Sequence, residues 1–220
     1  MNPETRMTAA PPIPDATRAD ARRSQIRAAA AECFRQHGFH GTSIAQISKA
    51  AGMSTGHIYH YFENKEAIIA EIVAQDLERL LTLTAELRAA SDVKAAMIER
   101  AVEGVQQNLD PAHAGLQLEV VAEAARNPRI AHIVRAADRQ CRESLLQTIR
   151  TLRRAAGHQD SEATLAGMAE AISAMFEGLR IRAIRNPDID RDVVVQMFRR
   201  MVGDLLSQAP QPPPRGRRDT

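Results

Sequence analysis

Apolar residues along this chain recur at intervals of three and four, the period of amphipathic helices. A first helix is predicted over about 20–36, where Ile26, Ala30, Cys33 and Phe34 share a face. Two short helices follow. Thr42 or Ser43 is placed to cap the first, and Gln46 lies three residues after Ser43, in capping-box spacing. Ile44, Ile47 and Ala51 fall on one side of that helix, and Gly52 is the expected left-handed residue that ends it. Ser54 caps the next helix, in which Ile58, Tyr61 and Phe62 share a face.

A long helix is predicted over about 64–88, opened by Asn64, with Ile68, Ile69, Ile72, Val73, Leu77 and Leu80 on its buried side. Later boundaries are written in caps. Ser91 is placed to open a helix, and Asp110-Pro111 and Asn127-Pro128 each set a capping side chain before a first-turn proline. Gly157 closes a long helix from Pro128, Asp160 or Ser161 opens the next, and Asn186-Pro187 ends it. The last helix is expected over about 190–206. Strand-like alternation never persists. The chain therefore reads as all-α, with about nine helices and no internal repeat.

The short helix after Gly52 turns unusual groups outward. Gly56 and His60 lie opposite its apolar face, flanked by His57 and Tyr59. A glycine in an exposed helix face costs about 1 kcal/mol relative to alanine. It is reasonable where another surface approaches the backbone closely. Two short helices around a glycine turn, the second displaying small, imidazole and phenol groups, suit a reader of the DNA major groove. Such helices place N-terminal residues on base edges, which points to Thr55, Gly56 and His57. Tyr59 and His60 are then placed for phosphate or sugar oxygens.

The segment from Arg23 to about Ile72 resembles the DNA-binding domain of the TetR family of bacterial transcriptional regulators. The matching residues are Phe34, Gly38 and Phe39, then Thr42-Ser43-Ile44, Ile47-Ser48, Ala50-Ala51-Gly52-Met53-Ser54, Ile58-Tyr59-His60-Tyr61-Phe62 and Asn64-Lys65-Glu66. Residues 119–128 and 176–187 resemble the choline-regulator branch. The resemblance implies a helix-turn-helix domain over 20–66 and a helical effector-binding and dimerisation domain over 67–206. It implies a regulator, most simply a repressor, that binds a palindromic double-stranded DNA operator as a homodimer and is released by a small effector. Thr42, Ser43, Ser54 and Lys65 join Thr55, Gly56, His57, Tyr59 and His60 as expected DNA contacts. Lys65 is a cation in the first turn of its helix, where the dipole disfavours it by roughly 0.3–1 kcal/mol. Two readings stand: a surface charge partly neutralised by Glu63, or a phosphate held over the helix start.

Residues 1–19 and 207–220 are rich in proline and charge, and are expected to be a disordered arm and tail. Arg18, Arg22 and Arg23 are placed either to reach DNA or to remain solvated. The net charge is +2, so overall charge does not advertise nucleic acid. Residues 1–65, with eight Lys/Arg and five Asp/Glu, are modestly basic. No apolar stretch has the length of a membrane span and no secretory signal is evident, so a cytoplasmic protein with no membrane partner is expected. Cys33 and Cys141 make no disulfide framework, and no catalytic constellation or phosphate loop is present. His57-x-x-His60 and His37-x-x-His40 lack the further ligands of a metal site. No cofactor and no enzymatic activity are expected.

The last two helices are the expected dimer surface. One mixes Ala166, Gly167, Ala171, Ala174 and Gly178 with larger apolar groups, and the other has an apolar stripe wider than one packing face needs. Candidate effector-lining residues are Met97, Glu119, Val120, Glu123, His132, Cys141, Met168, Met175 and Phe176, each also readable as core or solvated. Beyond Phe62 the only aromatics are Phe176 and Phe198, which argues against an aromatic cage for a quaternary ammonium. Methionines, leucines and acidic groups suggest a lipophilic effector, one that carries a positive charge in some readings.

Overall fold

The computed structural model describes residues 15–207; positions 1–14 of the expected arm and 208–220 of the expected tail lie outside the described residues. Among the described residues nine helices follow one another: α1 (Asp15–Gly41), α2 (Ile44–Ala50), α3 (Thr55–Tyr61), α4 (Lys65–Ala89), α5 (Val93–Asn108), α6 (Pro111–Ala124), α7 (Pro128–Ala155), α8 (Glu162–Arg185) and α9 (Arg191–Ser207). The all-α architecture and the helix number agree with the hydrophobic period.

The departures are local. α1 starts at Asp15, so residues 15–19 of the expected arm are helical. It also continues past Gln36, but Gly38 at φ 72° and ψ 167° breaks its axis. Only glycine takes such a backbone readily. Ser43 rather than Thr42 caps α2, and the reciprocal bond from Ser43 N to Gln46 Oε1 (2.7 Å) completes the capping box. Asp92, not Ser91, caps α5. Ser161 caps α8, because Asp160 is engaged elsewhere. The Arg153 guanidinium donates to both Asp160 oxygens at 2.7 and 2.8 Å, and to the Leu206 carbonyl at 2.9 Å. This buried pair ties the α7–α8 turn to the end of α9. Arg153 holds the Asp160 carboxyl below the usual carboxylate range.

Three apolar clusters fill the interior. The first joins Ile26, Ala30 and Phe34 of α1, Ile47 of α2, Ile58 of α3 and Ile68, Ile69 and Ile72 of α4 to Val120 of α6 and Ile130 of α7. The core therefore continues across residue 66 into the body. The second packs Leu87, Met97 and Ala101 against Ile149, Leu152, Leu165, Met168, Ile172, Val202 and Leu206. The third gathers Val105, Leu109, Ala114, Leu179, Ala183 and Phe198. None of the helices among the described residues is long and apolar enough to cross a membrane.

Candidate nucleic-acid interface and the effector domain

The helix-turn-helix is set by three backbone devices. Gly52 takes φ 63° and lets the chain leave α2, with Met53 N donating to Ser48 O at 2.9 Å. Ser54 Oγ accepts from His57 N at 3.2 Å and opens α3. Ile58, fully buried, anchors α3 to the α1 and α4 isoleucines. What remains outside is Ser54, Thr55, Gly56, His57, Tyr59 and His60, all exposed. Tyr59 is 57% accessible although it is large and aromatic. Tyr61 lies edge-on to His57 and His60, at 5.3 and 5.0 Å between centroids, and steadies both imidazoles. A Cβ on Gly56 would meet only Ser54 Oγ, at 4.0 Å. The protein's own packing therefore does not require glycine there.

One expected contact is corrected, and a second has partners inside the chain. Thr42 is buried, and its hydroxyl donates to the Cys33 and Gly38 carbonyls (3.0 and 2.8 Å). It locks the end of α1 and does not face outward; the exposed Ser43 beside it does. The Lys65 ammonium does not stand free over the start of α4. It donates to Phe39 O at 2.7 Å and Thr42 O at 2.6 Å, and lies 4.6 Å from the Phe39 ring centroid. Two of its three donors are thus engaged inside the chain. The sequence held the signal: a cation in a first turn needs a compensating partner, and these carbonyls supply it. Lys49, exposed in the last turn of α2, was not singled out from the sequence, where one lysine carries no distinguishing pattern.

The body places the nine candidate effector residues in four different settings. Met97, Val120 and Met168 are buried in the apolar clusters, where they fill core. His132 is exposed. Glu119 and Glu123 on α6 grip the kink of α1. Phe39 N donates to Glu119 Oε1 at 2.6 Å, and His40 Nε2 lies 2.9 Å from Glu123 Oε2. Glu123 is buried, and its Oε1 accepts from Asn127 Nδ2 at 3.0 Å. Met175, Phe176 and Cys141 are half-buried. Phe176 packs on Phe198, 5.5 Å between centroids, and so closely on Gly104 that a Cβ there would sit 2.8 Å from the ring. An open groove of about 410 Å³ between α4 and α7 involves none of the nine; Leu81, Arg139, Glu143 and Gln147 are among its walls. Burial pushes the Cys33 and Cys141 thiols up, with Glu32 adding to the first and Asp138 and Asp76 to the second. Both cysteines are free and protonated at neutral pH, which disfavours redox chemistry.

A different set of side chains converges between α4, α5, α6 and α8. Gln117 Nε2 donates to Asp76 Oδ2 at 2.5 Å, and Arg79 Nη1 to Gln107 Oε1 at 2.6 Å. Arg79 Nη2 lies 3.5 Å from Asp76 Oδ1. Arg180 Nε donates to Asn108 Oδ1 at 2.7 Å, and Asn108 Nδ2 to Gly104 O at 2.8 Å. Burial pulls His113 below its ordinary value; Asp76 opposes that fall, while Arg180 and Arg79 add to it. None of these polar residues was singled out from the sequence, because they are spread over a hundred positions and share no motif.

An exposed reading helix on an apolar three-helix support, joined to a larger helical body, defines a helix-turn-helix DNA-binding regulator. The chain belongs to the TetR family. The profile of bacterial regulatory proteins of the tetR family matches residues 26–72, and that of the C-terminal domain of BetI-type transcriptional repressors matches 95–207. The HTH-type transcriptional regulator UidR of Escherichia coli (strain K12) is 29% identical over 192 residues, 87% of this chain and 96% of the relative. BetI of Vibrio atlanticus (strain LGP32) is 26% identical over 193 residues, 86% and 92% of the two chains. Salmonella enterica GusR superposes with a TM-score of 0.69 at 29% identity, over 84% of this chain and 95% of the other. The fold is also that of FadR from Bacillus subtilis in complex with stearoyl-CoA, with TM-score 0.69, 17% identity and coverage of 84% and 97%. These relatives are transcriptional regulators, not enzymes.

Proposed function

We propose that this ligand-responsive DNA-binding regulator is a repressor, acting in the cytoplasm as a homodimer on a palindromic operator. The observation that carries the reading is the exposed strip Ser54–His60 around a glycine that the chain's own packing leaves unexplained. Duplex DNA approaching the α3 backbone accounts for it. Thr55 and His57, in the first turn, then read base edges. Tyr59, His60, Ser43 and Ser54 hold the sugar–phosphate backbone. Lys65 serves by fixing the joint between α1, α2 and α4.

The dimer reading rests on α8 and α9. Ile181, Ile184, Val193, Met197 and Met201 remain 45–51% exposed in the single chain. Such a row is typical of a covered interface. Two subunits paired through it present two α3 helices related by a two-fold axis. Their half-sites then lie about one helical turn, ~34 Å, or a multiple apart. The effector acts by binding the non-operator arrangement better. Met97 and Met168 fill core and so do not supply the lining expected for a lipophilic effector.

Titration of the protein against its own upstream fragments tests the reading. Tight, two-fold symmetric protection with steep salt dependence is expected. Equal affinity for random duplex would overturn it. His57→Ala should relax base choice at one position in each half-site, at about 1–3 kcal/mol.

A further inference from the structure

Arg180 is the feature of the body that the fold leaves unexplained. It reaches from α8 to α5 and is half-buried. Its Nε is engaged by Asn108. Among the described residues no carboxylate lies within ion-pair distance of it. Glu177 and Asp76 reach it only through space, and Arg79 opposes it. Asp76 is already held by Gln117 and Arg79. A desolvated cation without a paired anion is destabilising. A fold that keeps one has a use for it.

We propose that Arg180 receives the carboxylate of the effector. This deepens the ligand-responsive reading above and rests on it. With Nε bonded to Asn108, Nη1 and Nη2 remain as a two-pronged donor. That end-on pair matches the two oxygens of one carboxylate. Arg79 lies nearby with its charge offset by Asp76, so Arg180 is the cation left for an anion. The neighbouring polar side chains suit hydroxyl or carbonyl groups rather than alkyl chains. His113, kept neutral by burial, offers one donor and one acceptor, and the Gln117 side-chain carbonyl has no hydrogen-bond partner among the described residues. The ligand class is a small polar carboxylate. A quaternary ammonium does not fit, because the Arg180 guanidinium, without a paired carboxylate among the described residues, repels it.

Anion binding also explains how occupancy is sensed. Arg180 is on α8, Asn108 on α5, Asp76 and Arg79 on α4, and Gln117 on α6. A carboxylate on Arg180 draws α8 and the end of α5 toward α4. α6 carries the two glutamates that grip the α1 kink. The signal then has a continuous path to the reading helix.

The test uses the full-length protein and matched probes. Thermal unfolding is followed with propionate and benzoate against propionamide and benzamide, at constant ionic strength made up with chloride. The carboxylates should raise the midpoint by about 2–4 °C at saturating concentration, and the amides should not. The rise should vanish in Arg180→Met. Without any probe, Arg180→Met should unfold at the same temperature as the parent or higher, since an uncompensated charge is removed. Three results would overturn the proposal: carboxylates no better than amides or chloride, a rise that survives in Arg180→Met, or an Arg180→Met midpoint several degrees lower without probe. The last makes the guanidinium a structural group. Operator titration of the unmodified protein without carboxylate tests the DNA reading separately. Its failure beside a clear carboxylate response would sink that reading and leave this one standing.

Discussion

Around Ile58 the contacts are apolar: isoleucines from α1, α2 and α4 close over it, with Phe34 and Phe62 alongside. In the middle of the body, Asp76, Arg79, Asn108, His113, Gln117 and Arg180 meet instead. The first region needs no occupant to be complete. The second has one guanidinium with no paired carboxylate among the described residues and one imidazole kept neutral by burial. A rigid apolar support suits a surface that must present fixed groups to a repeating polymer. A polar, incompletely paired interior suits a place that must change when something binds. The contrast fits the proposal that one region reads DNA and the other responds to ligand.

The largest effect should come from truncation of the apolar support. Ile58→Ala is expected to cost about 2–5 kcal/mol, measured by chemical denaturation, through lost burial and a residual cavity. Gln117→Met in the polar region should change stability far less than this. A comparable loss at Gln117 would erase the distinction between the two regions.

Next is Lys65→Ala. It removes two charge-assisted bonds to Phe39 O and Thr42 O, and should cost about 1–3 kcal/mol, more than the gain from easing the helix dipole. An unchanged denaturation midpoint would show that the ammonium is not a structural tie. It would return Lys65 to the phosphate role that the sequence first suggested.

Gly56→Ala sharpens the contrast from the other side. It should stabilise the free protein by up to about 1 kcal/mol, because α3 gains a better helix former with open space around it. Operator affinity should fall at the same time. Stability and affinity that rise together would mean that no surface approaches Gly56 closely.

The smallest effect is a pH slope. The folded value of His113 is depressed, so the unfolded chain binds its proton more readily. Its contribution to stability is present above the ordinary histidine range and is lost as pH falls through the folded value. His113→Gln should flatten the stability profile on the acid side of neutrality, with little change above it. An identical slope in parent and variant would place His113 in open solvent.

How much of this was legible in the sequence follows from distance along the chain. The caps Ser54, Asn64, Asp110, Asn127 and Ser161 each bond an amide a few residues away, so spacing reveals them. Gly52 and the apolar period of α4 are equally local. The display of Thr55, His57, Tyr59 and His60 follows from one helix wheel. The burial of Thr42 does not, because it depends on the carbonyls of Cys33 and Gly38 across a kink. Glu119 bonds Phe39 N eighty positions away, Glu123 lies beside His40, and Arg180 and Asn108 lie 72 apart. No periodicity encodes such pairings, so this polar region had to be read from the folded chain.

The Lys65 tie has a geometric consequence. It binds the first turn of α4 to the end of α1 and the entry to α2, so the reading head and that end of α4 form one block. The 25 residues of α4 make a rod about 37 Å long. If the far end is held by the body, a tilt of about 5° carries the block about 3 Å sideways, close to the ~3.4 Å rise of one base pair. In a two-fold pair the two displacements add. A motion too small to disturb the packing of any helix is thus enough to put the paired reading heads out of step with the grooves.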